Sequence, residues 1–283
     1  MPRIDHHPSD FVQKVCDGQQ PSGVDLLLVA SLRSGVGDRI LELIRSNSVN
    51  SVSQVEQGIF YSVDLAHGDA AMRSLLSESD RCIQFFGSAR CLPTHPEYGR
   101  IAELIGELAR ERLLTVLSQG GNGGLMEAAS EAAMTAGAKV VGHVPHDCPE
   151  VDVRGFDESG WGIHAHHDHL VRYFTYDGRL ASMSTAHPDA YIVSTALGGG
   201  TMEELARVYR QMQYGERQGL ILFGEEGAGN VVRDTYGSML THGAISARHK
   251  VHSGPSETGL IFDAGPSIEK VKEYLRTAPW RKK

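Results

Sequence analysis

The stretch Ala190-Tyr191-Ile192-Val193-Ser194-Thr195, followed by Leu197-Gly198-Gly199-Gly200-Thr201-Met202-Glu203-Glu204-Leu205, decides how this chain is read. Its first part has the apolar, β-rich character and the length of a buried strand, and its second part opens an amphipathic helical pattern. Glycines crowded between strand and helix permit a sharp turn and leave bare N–H groups at a helix N-terminus, where the helix dipole favours a phosphate. Glu203 and Glu204 fall in the first helical turn, beside that anion pocket. Carboxylates so early in a helix complement its dipole, and one within reach of a bound phosphate ester can also do chemistry.

Outward from this stretch, strands and helices alternate from about residue 81 onward. Cys82 to Phe86 reads as a buried strand ended by Gly87-Ser88-Ala89-Arg90, and Tyr98 to Arg112 places Ile101, Leu104, Ile105 and Leu108 on one helical face. Leu113 to Leu117 reads as a second strand and Gly120-Gly121-Asn122-Gly123-Gly124-Leu125-Met126 as a second glycine turn. A helix from Glu127 to Ala136, a strand from Lys139 to Pro145, a helical stretch around Arg172 to Thr185, a helix from Thr201 to about Tyr214 and a strand from Gly219 to Phe223 complete the series. Such alternation predicts an α/β fold, a doubly wound, Rossmann-like parallel sheet with helices on both faces and ligands at the carboxyl ends of the strands. The domain so defined spans residues 81–283, preceded by an N-terminal appendage, residues 1–80, in which Val24 to Ala30 is strand-like and Gly37 to Arg45 helix-like. Ser267 to Leu275 has helical spacing, and Trp280 to Lys283 forms a basic tail.

With 283 residues, 41% of them hydrophobic, the chain can bury a large core, and its net charge of −8 argues against binding nucleic acid, which calls for an excess of Lys and Arg. No apolar run approaches the roughly 20 residues that cross a bilayer, and the N-terminus lacks an apolar signal core, so a cytoplasmic protein without membrane contact is expected. Cys16, Cys82, Cys91 and Cys148 are scattered, without a C-x-x-C pair, as for reduced thiols. His164, His166, His167 and His169 are dense enough to raise a metal, but the spacing is not the i, i+4 pattern of a zinc site on a helix. A polar loop bordering the cleft is the reading kept, with no metal and no cofactor.

Four segments together resemble the LOG family of phosphoribohydrolases, which release the base from nucleoside 5′-monophosphates. Phe86-Gly87-Ser88-Ala89-Arg90 is similar to the family's first-strand Gly-Ser turn, and Gly120 to Met126 to its Gly-Gly-x-x-Gly-Leu-Met segment. Gly198 to Glu204 is similar to its Gly-Gly-x-Gly-Thr-x-x-Glu signature, and Arg179-Leu180-Ala181-Ser182-Met183 to its Arg-Lys-x-x-Met helix. The match runs in order over roughly residues 82–225. Leu197 stands where the family has proline, Leu180 where it has lysine, and Asp177-Gly178 where it has His-Glu. Those positions border base and sugar in the family, so these departures bear on substrate identity.

The resemblance implies hydrolysis of the N-glycosidic bond of a small-molecule nucleotide, a cytokinin ribotide or an AMP-like substrate, by a homo-oligomer. Glu204 is then the residue that stabilises an oxocarbenium-like sugar or activates water, with Glu203 as the alternative and Arg179 as electrostatic partner. Gly87, Ser88, Gly120, Gly121, Gly198, Gly199, Gly200 and Thr201 would hold the phosphate, and Arg90, Arg172, Tyr176 and Met183 would border the base. Plainer roles stand beside these. Ser88 caps a turn, Thr201 caps a helix, Arg179 pairs with Asp177 or Glu203 on the surface, Gly123 and Gly124 serve close packing, and Met126 and Met183 fill the core. A binding protein of the same fold, such as a molybdenum cofactor carrier, is the rival; it would have no use for the Arg179 and Glu204 pair.

Overall fold

Every residue of Cys82-Ile83-Gln84-Phe85-Phe86 is buried, as in a central parallel strand covered on both faces. The computed structural model describes residues 3–19, 26–46, 53–77, 80–121, 123–148, 163, 166–184, 188–196, 198–213, 219–225, 234–235, 238, 251–252 and 261–277. Its strands are β1 (Ile4–His6), β2 (Cys82–Phe86), β3 (Val116–Gly120), β4 (Lys139–Pro145), β5 (His169–Tyr173), β6 (Ala190–Ser194), β7 (Gly219–Phe223), β8 (Val251–His252) and β9 (Ile261–Gly265). They form one sheet of order β1-β5-β4-β3-β2-β6-β7-β9-β8, with every described pairing parallel.

The helices are α1 (Pro8–Cys16), α2 (Leu26–Ser31), α3 (Gly37–Arg45), α4 (Gln54–Leu75), α5 (Pro96–Arg110), α6 (Leu125–Thr135), α7 (Tyr176–Met183), α8 (Gly199–Gln213) and α9 (Ile268–Thr277). The 3.6-residue period of α5 puts Ile101, Leu104, Ile105 and Leu108 against Ile83, Phe85 and Leu117 of the sheet, in a core shared with α6 and α9. Each such side chain contributes about 1.5–3 kcal/mol on leaving water. The opposite face is covered by α8 and α7, through Leu205, Val208, Tyr209 and Met183 on Phe86, Tyr191 and Val193. There α4 adds Ala71 and Met72 over Cys82, Val116 and Val171. Outside α4 lie α1 and α3, which bury Phe11, Val12, Ile40 and Leu43 against Phe60 and Val63. The sequence is thus an α/β Rossmann-like fold with helices on both faces of a parallel sheet.

Several expectations are corrected. Of the strand-like run Val24 to Ala30, residues 24–25 lie outside the described residues, and the rest belongs to α2, a helix. The strand expected over Leu113 to Leu117 starts at Val116 and runs to Gly120, because Leu113 and Leu114 hydrogen-bond back to Leu108 at the end of α5. The stretch Arg172 to Thr185 is not one helix: Arg172 lies in β5, and α7 starts only after Thr175, whose hydroxyl accepts the Gly178 N–H and caps it. The first 80 residues extend the sheet through β1, which pairs with β5 from Ile4 opposite His169 to His6 opposite Val171. Tyr214, Asn122, His164 and Trp280 to Lys283 lie outside the described residues.

This order fixes where a ligand can sit. From β2 the chain moves outward through β3, β4 and β5 on one side, then returns to place β6 on the other, in register from Ile83 opposite Ala190 to Phe86 opposite Val193. A crevice opens at such a reversal, outside the carboxyl ends of the two strands. Here those ends deliver Gly87-Ser88 and the Gly198 to Thr201 turn.

Candidate active site

At the reversal lies a cavity of about 370 Å³, bordered by the Gly87 to Arg90 loop, by Gly198, Gly199, Gly200, Thr201 and Glu204 of the α8 start, and by Tyr176 and Arg179 of α7. Met126, His143 and Pro145 complete it. Larger cavities exist, about 460 Å³ beside His6 and α1, about 580 Å³ between α2 and α4, and about 810 Å³ between Gln57, Tyr176 and Arg207, but none of these is bordered by a glycine turn after a central strand. The crevice is the better candidate on chemistry.

One wall is backbone. The first rung of α8 is the hydrogen bond from Met202 N–H to the Gly198 carbonyl, 3.0 Å, so the N–H groups of Gly199, Gly200 and Thr201 precede the ladder at the positive end of the helix. A Cβ at Gly199 or Gly200 would meet nothing within 4 Å, which leaves their faces open to a ligand. Thr201 is buried with its side chain on the crevice. Across from it, the Ser88 hydroxyl accepts the Arg90 N–H at 3.3 Å, so its turn-capping role is real and is combined with a place on the crevice wall. A Cβ at Gly198 would stand 3.3 Å from Ser88 Oγ, which brings the two loops together.

The other wall is made of side chains. Arg179 is 8% exposed, its Nε donates to the His143 carbonyl at 2.8 Å, and its guanidinium carbon lies 5.9 Å from the centre of the Tyr176 ring. It is no surface residue: Asp177 and Glu203 both pair with Arg207 instead. Glu204 is half-buried. Burial pushes its carboxyl up to about 7, with the Arg179 charge pulling it down and Glu203 pushing it further up. Glu203 is exposed, accepts the Tyr176 hydroxyl at 3.4 Å, and is not among the residues that border the crevice. The two consecutive acids therefore divide, as the roughly 100° between neighbouring helical positions requires.

A buried polar chain runs beneath. Ser118 Oγ donates to Gln84 Oε1 at 2.6 Å, the His143 ring bridges Ser118 Oγ at 2.9 Å and Tyr173 Oη at 2.7 Å, and Tyr173 Oη meets Ser182 Oγ at 2.9 Å. With the Ser118 proton directed at Gln84, His143 donates from Nε2 and accepts at Nδ1. This chain ties β2, β3 and β4 to β5 and α7, and so fixes the carbonyl that holds Arg179.

Other residues expected at the site lie elsewhere. Arg172 does not reach the crevice, because its guanidinium is drawn to Asp5 of β1 and to the His146 and Cys148 carbonyls, each at 3.3 Å. Met183 is core, packed with Phe86 and Tyr191, whereas Met126, read as filler, borders the crevice. Gly120 and Gly121 do not line it: a Cβ at Gly120 would collide with Arg179 and Met126, and one at Gly121 with Val144. Gly124, at φ 66°, lets the turn press on the Ser88 carbonyl, where a Cβ would stand 2.5 Å away. The second glycine turn is thus a spacer under the site. Arg90 is exposed on the rim and Tyr176 is 51% exposed on the α7 wall. His143 and Pro145 were missed; they end a strand that stops at this same edge, which was the available signal. Of the departures, Leu180 is buried core and Asp177 is on the surface, while Leu197 lies outside the described residues.

Among the described residues, no group of three or more His, Cys, Asp or Glu is placed to hold a metal ion, and no helix is long and apolar enough to cross a membrane. No protein-family model and no curated protein matches the chain. Among solved structures, it is similar to the molybdenum cofactor binding protein of the phototrophic bacterium Rippkaea orientalis, with 18% identity and a TM-score of 0.49 over 71% of this chain and 98% of that one. It is also similar to the molybdenum cofactor carrier protein of Chlamydomonas reinhardtii, with 18% identity and a TM-score of 0.44 over 70% of this chain and 99% of that one.

Proposed function

We propose that this protein is a nucleoside 5′-monophosphate phosphoribohydrolase that acts on a cytokinin ribotide or an AMP-like nucleotide. The observation that carries the reading is Glu204, a half-buried carboxylate beside Arg179, one helical turn from amides suited to a phosphate. In this reading the phosphate rests on the N–H groups of Gly199, Gly200 and Thr201, and C1′ of the ribose faces Glu204. The bond from C1′ to the base nitrogen breaks with its electron pair leaving on the base, and water adds to C1′, giving free base and ribose 5-phosphate. Ionised Glu204 stabilises the positive charge at C1′ and takes the proton of the attacking water, while the departing base is protonated from solvent. Arg179, always charged, favours the ionised form of Glu204 against the effect of burial.

The phosphate grip lies on atoms remote from the bond that breaks, so it positions the sugar, and free nucleosides should react poorly. A panel of 5′-monophosphates incubated with purified protein, with base and ribose 5-phosphate quantified by chromatography, tests the reading. Release from at least one member is expected. Binding without release from any member would instead favour a non-catalytic nucleotide or cofactor carrier. The backbone wall fits a phosphate in either case; only the Glu204 and Arg179 pair separates the two.

A further inference from the structure

Asp64, in the middle of α4, is completely buried, and its carboxylate accepts from donors on the approach to α7. Its Oδ1 accepts the Phe174 N–H at 2.8 Å, and its Oδ2 accepts the Thr175 N–H at 2.8 Å and the Thr175 hydroxyl at 2.7 Å. The same Thr175 oxygen accepts the Gly178 N–H at 2.9 Å, and the Thr175 carbonyl accepts the Arg179 N–H at 3.1 Å. A carboxylate is therefore linked, through one residue, to the first turn of the helix that carries Tyr176 and Arg179. Close approach depends on Gly178, where a Cβ would stand 2.5 Å from both Cβ and Oδ2 of Asp64.

We propose that Asp64 is a positioning residue of the crevice: from the N-terminal segment it fixes the start of α7, and through it the guanidinium of Arg179. The helix it anchors through Thr175 has 8 residues. Isolated helices below about 12–15 residues are marginal in water, so external anchors decide where such a helix starts and how it is oriented. Three donors converge on two oxygens, which suits the ionised acid and offers no acceptor to a protonated one beyond Thr175 itself. Burial pushes the Asp64 carboxyl up to about 7 against the pull of those three bonds, which marks how much solvation the contact replaces. The backbone wall makes no use of this anchor, since Gly199 to Thr201 belong to α8. Asp64 is thus tied to the side-chain wall alone.

The structural part of the proposal stands on these bonds, and its kinetic consequence rests on the phosphoribohydrolase reading. The test compares full-length Asp64→Asn, Gly178→Ala and the double variant by amide hydrogen exchange and by base release. Asp64→Asn turns an NH2 group toward an N–H, and Gly178→Ala pushes an intact Asp64 aside. Exchange in residues 176–183 should accelerate at least about tenfold in each single variant while α8 keeps its protection. Turnover should fall about tenfold to a hundredfold with KM within about twofold, because a displacement near 1 Å is enough for such a loss. The double variant should be no worse than the poorer single one, as for two groups acting through one contact. Unchanged exchange in α7, or acceleration spread evenly over the protein with kcat and KM moving together, would overturn the assignment. Should Asp64→Asn not fold, Gly178→Ala gives the same readouts. A wild-type protein inert on every monophosphate would count against the phosphoribohydrolase reading alone, and α7 exchange would still decide Asp64.

Discussion

The two walls of the crevice are built from different materials. The wall made by Gly87-Ser88 and by Gly198 to Thr201 presents backbone, shaped by residues adjacent in sequence. The wall made by Tyr176, Arg179 and the His143 strand end presents side chains, held by partners as distant as Asp64, 110 residues from Phe174. A backbone cradle has few ways to vary and can offer only generic hydrogen bonds to an anion, whereas a side-chain wall can tune charge and protonation. Holding and reacting are thereby separated in space, so substitutions on one wall should move affinity and substitutions on the other should move turnover.

The largest expected effect, and the sharpest break of that division, concerns Glu204. Glu204→Gln should lower kcat for base release about a thousandfold and leave KM within about twofold, since an amide neither takes a proton nor stabilises a cation as a carboxylate does. Unchanged turnover in steady-state assays would remove Glu204 from the chemistry. Because burial holds its carboxyl up at about 7, kcat should rise with pH through that value, while the residual rate of the glutamine variant stays flat there. Stability should run the other way. A folded-state pKa above the ordinary carboxylate range means that ionisation opposes folding, so this group's contribution is complete at acid pH and is lost as pH rises through about 7. Scanning calorimetry should accordingly find Glu204→Gln more heat-stable than wild type by a few degrees at pH 8, with little difference at pH 5.

Arg179→Lys comes next, at about a hundredfold in kcat. Lysine keeps the charge but lacks the planar fork that donates to the His143 carbonyl while facing Glu204, so the loss measures orientation rather than charge. A variant as active as wild type would mean that any cation suffices there. On the other wall, Thr201→Ala should weaken nucleotide binding about tenfold in titration calorimetry, the order expected for one hydrogen bond to a charged group, with kcat preserved. Turnover lost without affinity in that variant would show that the walls are not separable.

The same contrast explains what could be read from sequence. The backbone wall was legible because each of its parts is local: a buried strand, a glycine turn and an amphipathic helix each leave a signature within about fifteen residues. The side-chain wall was only half legible. Arg179 and Tyr176 stand out in the sequence, but β5 does not: its last two residues, Arg172 and Tyr173, read as the start of a helix, since His169-Leu170-Val171-Arg172-Tyr173 is too short to show a period of its own. In α2 a run of apolar residues, Leu26-Leu27-Leu28-Val29-Ala30, fits strand and helix equally. The anchor on α4 went unseen because that helix is covered on two sides, by the sheet and by α1 with α3, and buries Asp64, His67 and Gly68, which blurs any apolar stripe. One local signal was present: Ser53 and Glu56 form a capping box, with Glu56 Oε2 accepting the Ser53 N–H at 2.8 Å. No local signal could have joined Asp64 to Thr175 or sent Arg172 to Asp5, because those pairings exist only once the sheet has formed.

The smallest expected effect is the most pointed check on the division. Glu203 is next to Glu204 in sequence, yet its carboxylate is engaged by the Tyr176 hydroxyl and Arg207, and it does not border the crevice. Glu203→Gln should therefore change kcat and KM by less than about twofold and stability by no more than about 0.5 kcal/mol, as is usual for exposed pairs. Its one kinetic trace should be electrostatic. Glu203 is among the charges that push the Glu204 carboxyl up, so neutralising it should shift the acid limb of the kcat profile toward lower pH without lowering the plateau. A plateau that collapses as it does for Glu204→Gln would mean that the chemistry has been assigned to the wrong one of two adjacent acids, and that the crevice reaches around α8 to the face where Arg207 sits.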